Sequence, residues 1–436
     1  MNRILSVSFF LFLFQSAFGQ AIISSWQMNA GEFASYWENT NGNPTNPTFV
    51  FNTTTVLANV KKVCFNDQYL WLQSEGMTTN MGKYLNPGAP AAQGYTYRIP
   101  RNPSIPTTKT TSPVLGAIGM LINGVPIYGL SNARYYNGTN NNGGGPGGTW
   151  YVEVYKSEGF VLDTALGAHP QQQGAYHSHA KPQRLYISTA TTAHSPIVGW
   201  SFDGHPVYGP NGYSNPLDNT SAIRRITSGF SLRNITTRTT LADGTVLAAN
   251  KYGPAVSTTF PIGTYMQDYE WLASNGGDLD IYNGRFCKTP EFPDGVYAYF
   301  VTLDATGTPK YPYFIGEKYH GAPEADDITM GAVITIPTTN VTCFTSPLVT
   351  KTAESVFSIP LHAFPNPTTG TFNLSLPQLS GVSDVDVFSA KGELLYHTSS
   401  DLSTLPINLE EKLQPGVLML VVMNKGKRYQ TKIVIE

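Results

Sequence analysis

The sequence predicts a mainly β protein: a large β-rich domain followed by a small immunoglobulin-like β-sandwich. Three observations predict it. Apolar spacing at the helical period is almost absent, while short apolar or alternating runs recur between Gly, Pro, Asn and Asp clusters. The 41 Gly, 31 Pro and 25 Tyr, with only 13% charged residues, favour strands joined by tight turns. Finally, residues 361–436 carry a rhythm of their own, with FNLSL, VDVFS, ELLYH, LPINL, VLMLVVM and YQTKIVI as short runs bounded by turns.

The elements justify themselves in order along the chain. Arg3 opens the sequence, Ile4 to Phe14 is an apolar run, and Ala17-Phe18-Gly19 sets small residues at the −3 and −1 positions before Gln20. This reads as a secretory signal peptide over 1–19, removed on export. A membrane anchor is the alternative, but the run is short for roughly 30 Å of hydrocarbon. No later segment reaches 18 apolar residues, so no membrane span is expected in the mature protein. Formal net charge is −2 and no basic patch forms, which argues against nucleic acid as a partner. Cys64, Cys287 and Cys343 allow one disulfide in an oxidising compartment. The reading leans towards Cys64–Cys287, because Cys343 lies past the last strong motif.

Residues 20–345 form one Gly/Tyr-rich block, and 346–360 (SPLVTKTAESVFSIP) look like a linker to 361–436. Strand candidates in the block include VLANVKKVCF, PVLGAIGMLI, TWYVEVY, PIVGWSF and VYAYFVTL. The best helical candidate is a weak one at 221–228, and NNGGGPGG (141–148) reads as a loop. One pattern occurs twice: GMLINGVPIYG (119–129) and GWSFDGHPVYG (199–209). Asn-Gly and Asp-Gly predict tight hairpins in which both central residues can take positive φ. The Pro that follows cannot donate to a ladder, so each return strand is expected at a sheet edge.

GAYHSHAKP (174–182) is the chemical centre of the reading. If 175–179 is extended, His177 and His179 share one face and Tyr176 and Ser178 the other, with histidine Cα atoms roughly 6.5–7 Å apart. Two imidazoles at that spacing can converge on one ion at roughly 2.0–2.1 Å. His169 lies eight residues before His177, across a segment that permits a turn, and Asp163 is further back. Three histidines and a carboxylate suit a borderline divalent metal such as zinc or copper. Asp278 and Asp280 would share a face if extended, and would add oxygen ligands suited to calcium, or to zinc or manganese together with imidazoles. The bland alternatives are a hydrogen-bonded histidine pair in a Tyr-rich core, a solvated loop for Asp278 and Asp280, and a turn former for Asp203.

Two resemblances emerge from these motifs. LDTALGAHPQQQGAYHSHAKPQRL (162–185), HSPIVGWSFDGHPVYGP (194–210), DLDIYNGRFCKTPEFPDGVYAYFVT (278–302) and YPYFIG (311–316) resemble the YHYH-domain family, over a core of about 95–325. Ser178 stands where that family usually shows a second Tyr. The resemblance implies a secreted β-rich domain of unestablished activity. It carries Asp203, Tyr208 and Glu291 over as candidate ligand-binding residues. HAFPNPTTGTFNLSL (362–376), AKGELL (390–395), QPGVLMLVV (414–422) and KIVIE (432–436) resemble the C-terminal sorting domain of the type IX secretion system, with Leu418 in place of a frequent Tyr. This implies a Bacteroidetes-type bacterium, the type IX secretion machinery as a partner, and a secreted or cell-surface location.

Three functional readings follow. The first is an extracellular domain binding a metal or small polar ligand through His169, His177, His179 and nearby acids. A second is a metal-assisted hydrolase with Glu291 or Asp203 as base. The third is a structural or adhesive surface protein whose aromatics bind glycans. No nucleophile elbow, HExxH or phosphate loop appears, so binding ranks above catalysis and no catalytic residue is assigned.

Overall fold

The computed structural model describes residues 17–86, 88–187, 191–346, 361–376, 381–389, 394–409, 415–424 and 427–436. The expected signal peptide, apart from Ala17–Gly19, and the expected linker, apart from Ser346, lie outside the described residues. Strands account for 37% of the chain and helices for 7%, so the mainly β expectation is met. The chain divides into two compact units, Met1–Leu348 and Val349–Glu436.

An eight-stranded sheet organises the first unit. Its strands in chain order are β1 (Ala117–Leu121), β2 (Pro126–Tyr128), β3 (Ala168–Pro170), β4 (Tyr176–Ser178), β5 (Ile197–Ser201), β6 (Pro206–Tyr208), β7 (Gly284–Cys287) and β8 (Val296–Phe300). They lie in the order β3-β4-β2-β1-β5-β6-β8-β7. The repeated sequence pattern becomes a local two-fold. Hairpins β1–β2 and β5–β6 meet where β1 pairs antiparallel with β5, with Met120 opposite Trp200. On their outer sides β2 pairs parallel with β4 (Ile127 opposite Ser178) and β6 with β8 (Val207 opposite Tyr299). The first glycine of each repeat serves this junction. A Cβ on Gly119 would lie 2.6 Å from Trp200 O, and one on Gly199 would lie 2.6 Å from Met120 O.

Several expectations need correction. The return strands β2 and β6 are interior, because Pro126 and Pro206 take the first position of the strand and parallel pairing starts one residue later. In both turns only the glycine has positive φ (Gly124 77°, Gly204 89°). Gly124 N donates to Leu121 O and Leu121 N to Val125 O, which is a three-residue turn closing on a glycine bulge. Residues Ile223–Arg225, inside the helical candidate, form a strand against Asn211–Tyr213. Gly143–Gly144, inside the expected loop, pairs with Arg134 and Tyr135. The run TWYVEVY turns helical after Glu153: helix α2 (Val154–Glu158) follows the earlier helix α1 (Ala17–Ser24). The Glu153 carboxylate accepts Tyr155 N and Lys156 N, which caps α2.

A four-stranded sheet holds Thr342–Phe344, Val60–Phe65, Tyr69–Ser74 and Tyr95–Pro100 in that order. Its register places Cys343 opposite Cys64, with Cα atoms 4.0 Å apart, and they form the disulfide. The expected Cys64–Cys287 pair is therefore wrong. Cys287 is a free, fully buried thiol on β7, among Leu279, Phe292 and Val296. In the second unit, a three-stranded sheet (His362–Phe364, Thr371–Ser375, Thr404–Asn408) and a four-stranded sheet (Leu394–Ser400, Ser383–Phe388, Gly416–Asn424, Lys427–Ile435) surround Phe372, Leu374, Val387, Ile407, Leu420 and Ile433. That is the small β-sandwich of the expectation.

Non-reducing digestion and mass spectrometry should yield a Cys64–Cys343 cross-linked peptide and an unmodified Cys287 peptide. A Cys64–Cys287 peptide would contradict the strand register described here.

Candidate metal centre

Strands β3 and β4 form an antiparallel hairpin at the end of the large sheet, with His169 directly opposite His177. Strand alternation turns His177 and the following His179 to one face, while Tyr176 and Ser178 face the other. The hairpin closes tightly at its far end: Gly167 takes φ 58°, and a Cβ there would lie 1.6 Å from Ala180 O. All three histidines are buried. One nitrogen from each ring lies within 4.8 Å of those of the other two, and this is the one such cluster of metal-ligating groups among the described residues.

The hydrogen bonds decide which nitrogens are free. His177 Nδ1 lies 2.8 Å from Ala175 O, and His179 Nδ1 lies 3.1 Å from Gly129 O. A carbonyl only accepts, so both Nδ1 atoms carry hydrogen. His169 Nδ1 lies 3.2 Å from Asn86 Oδ1, and the Asn86 amide is oriented by donation from its nitrogen to Pro170 O. In the neutral rings of His177 and His179 each Nε2 is then a lone pair. These lone pairs converge: His177 Nε2 and His179 Nε2 are 2.9 Å apart. Glu158 Oε2, from the last residue of α2, lies 3.2 Å from His169 Nε2 and 3.6 Å from His179 Nε2. Two imidazole lone pairs thus meet head on with a carboxylate beside His179, which is favourable only when a cation stands between them.

A proton is a poor candidate for that cation at neutral pH. Burial, reinforced by the neighbouring His179 and His169, holds the His177 pKa well below its ordinary value. Burial likewise lowers His179 to about 4, against the partial relief that Glu158 gives. Fixing Nδ1 on a carbonyl oxygen is how proteins present Nε2 to a metal. Tyr128 adds a wall: its ring stacks on His177 with centroids 3.9 Å apart at 24°.

The remaining sequence candidates stand elsewhere. Asp278 pairs bidentately with Arg224, at 2.7 and 2.5 Å, and accepts from Thr227. Asp280 accepts from Tyr297 Oη and from the backbone of Tyr282 and Gly284. Neither joins the histidines; turn closure and an arginine saturate their oxygens, so their expected place in the metal set is corrected. Asp163 is also a turn acceptor, bonded to Ala165 N, Leu166 N and the Tyr176 hydroxyl. Asp203, fully buried, accepts Tyr299 Oη at 2.7 Å and Gly321 N at 2.8 Å. Tyr208 Oη lies 2.8 Å from both Glu291 Oε2 and Thr289 Oγ1, in a separate network. Sequence reasoning missed Glu158, Asn86 and Tyr128. Tyr128 had a visible signal, the repeated Pro-[Ile/Val]-Tyr-Gly, whereas Glu158 and Asn86 had none.

A β-rich domain followed by a small β-sandwich is the class that this architecture defines. Residues 96–312 match the family described as YHYH protein, and residues 362–436 match the secretion system C-terminal sorting domain. The chain is a YHYH-domain protein with a C-terminal type IX secretion sorting domain, which marks it as secreted or surface-attached. No helix among the described residues is long and apolar enough to cross a membrane. No curated protein matches the chain. Among solved structures it has a distant likeness to PorZ, a bacterial surface component of the type-IX secretion system of Porphyromonas gingivalis. The identity is 10%, over 90% of this chain and 55% of that one, with a TM-score of 0.17, too low to carry an argument.

Because burial favours the neutral ring, the contribution of His179 to stability is complete above pH ~6.5 and is lost as the pH falls towards 4. His194, lowered to about 4 mainly by burial, behaves alike. NMR titration of the metal-free protein should leave both rings neutral at pH 5.5, and a midpoint near 6.5 for either would contradict this packing.

Proposed function

We propose that the YHYH domain binds one borderline divalent metal ion outside the cell through His169, His177 and His179, with Glu158 as the carboxylate ligand. Zinc or copper suits an imidazole-rich set with one carboxylate. The observation that carries this reading is the 2.9 Å approach of His177 Nε2 to His179 Nε2 while both Nδ1 atoms are committed to carbonyl oxygens. That separation is close to the roughly 3.3 Å between two nitrogens bound tetrahedrally to one zinc.

A second reading, metal-assisted hydrolysis, draws on the pocket beside the rings. About 90 Å³ of space opens there, lined by Tyr128, Ser131, Glu158 and Gln171 together with the histidines. In this reading the three imidazoles would hold the ion and Glu158 would serve as base, leaving a position for water, whose pKa a metal lowers to about 7.

Purified protein loaded with zinc or copper and then desalted should retain one ion per chain by elemental analysis. His177→Ala should abolish retention with the circular dichroism spectrum unchanged. Glu158→Gln should weaken affinity by at least about 10-fold, the least that loss of even a supporting carboxylate costs. Retention of no ion by the wild-type chain would refute the proposal. The hydrolytic reading predicts turnover of a chromogenic ester or phosphate that chelation abolishes.

A further inference from the structure

A larger cavity of about 340 Å³ adjoins the histidine pocket, and Leu115, Gly116, Tyr128 and Gln171 line both. Its size falls at the lower end of the roughly 300–1,000 Å³ of small-molecule sites. Strand Tyr95–Pro100 supplies one wall, turning Tyr95 and Tyr97 to the same side, with ring centroids 5.4 Å apart. The segment from Asp326 to Ile334 supplies the opposite wall.

We infer that this groove is a binding site for a neutral saccharide of one or two rings, with one end at the metal pocket. The inference rests on the metal reading only for what stands at that end. Three features define the occupant. First, the lining tyrosines offer flat apolar rings, the surface on which the C–H face of a sugar packs. Second, Gln93, Thr96 and Gln171 line the same space and supply the amide and hydroxyl groups that sugar hydroxyls require. Third, the only charged lining residues are Asp326 and Asp327, both 3.4–3.5 Å from Arg98. No cation lines the wall to draw a phosphate or carboxylate; Arg98 is shared by Asp326, Asp327 and Glu324, so a cation is the competing occupant, and the test includes one.

A peptide strand fits less well. Tyr95–Pro100 is an edge of its sheet, but Asp327 Oδ1 caps the outward Arg98 N–H at 2.6 Å. That leaves Thr96 as the one outward backbone position along the groove, too few for strand addition.

The test titrates the zinc-loaded full chain with a panel of neutral mono- and disaccharides, followed by ligand-observed NMR, with tetramethylammonium as a cationic control. Metal content is measured on the same samples. At least one saccharide should saturate. Tyr95→Ala and the exposed-site variant Gln171→Ala should each weaken it by at least about fivefold, as loss of a stacking or hydrogen-bonding anchor does, with the metal content unchanged. Saccharide binding to a chain that retains no metal would support the groove and refute the metal reading alone. The inference is overturned when no saccharide saturates the metal-loaded chain, when neither variant weakens binding, or when tetramethylammonium competes for the site.

Discussion

Two backbone carbonyls govern the chemistry of this domain. Ala175 O and Gly129 O take the Nδ1 protons of His177 and His179, so the opposite nitrogens confront each other as acceptors. Among the described residues their neighbours are Glu158, which brings negative charge, and Tyr128, which stacks with its ring. Burial removes the option of protonating both rings, because an imidazolium deprived of water is costly. The site is thus built with an excess of electron pairs, and an ion of positive charge is what completes it.

The sheet brings those carbonyls to their places. Gly129 directly follows β2, the return strand of the Asn-Gly hairpin, and Ala175 precedes β4, which pairs parallel to β2. The same short pairing sets the Tyr128 ring against His177. In the second half of the local two-fold, Tyr208 occupies the position of Tyr128 but stacks on Phe300, centroids 5.7 Å apart, with its hydroxyl held by Glu291 and Thr289. One duplicated strand–turn–strand shape therefore carries a histidine cluster on one side and an aromatic core on the other.

Much of this was legible in the chain, for reasons that differ by residue. His177 and His179 were paired by the period of a strand, which is a local property, and the Asn-Gly and Asp-Gly hairpins announced themselves through turn chemistry. His169 needed only a short hairpin to arrive. Glu158 was hidden because TWYVEVY has strand composition, and the switch to a helix at Val154 comes from the Glu153 cap and tertiary contacts. Asp278 and Asp280 looked like ligands by spacing alone, whereas Arg224 and the turn at Tyr282–Gly284 had prior claims on them. Cysteine pairing failed for the same reason: register between strands nearly 280 residues apart (Cys64 and Cys343 are 279 apart) has no local signature. The sorting domain was the clearest segment, since its ordered turns and alternating strands each speak for themselves.

The tautomer of the histidines is the point on which the account turns, and long-range ¹H–¹⁵N correlation of the imidazole nitrogens in the metal-free protein measures it directly. Protonated Nδ1 and bare Nε2 in His177 and His179, with the Nε2 resonances moving when zinc is added, is the predicted result. A proton resident on Nε2 of His177 or His179 at neutral pH, undisturbed by zinc, would contradict it.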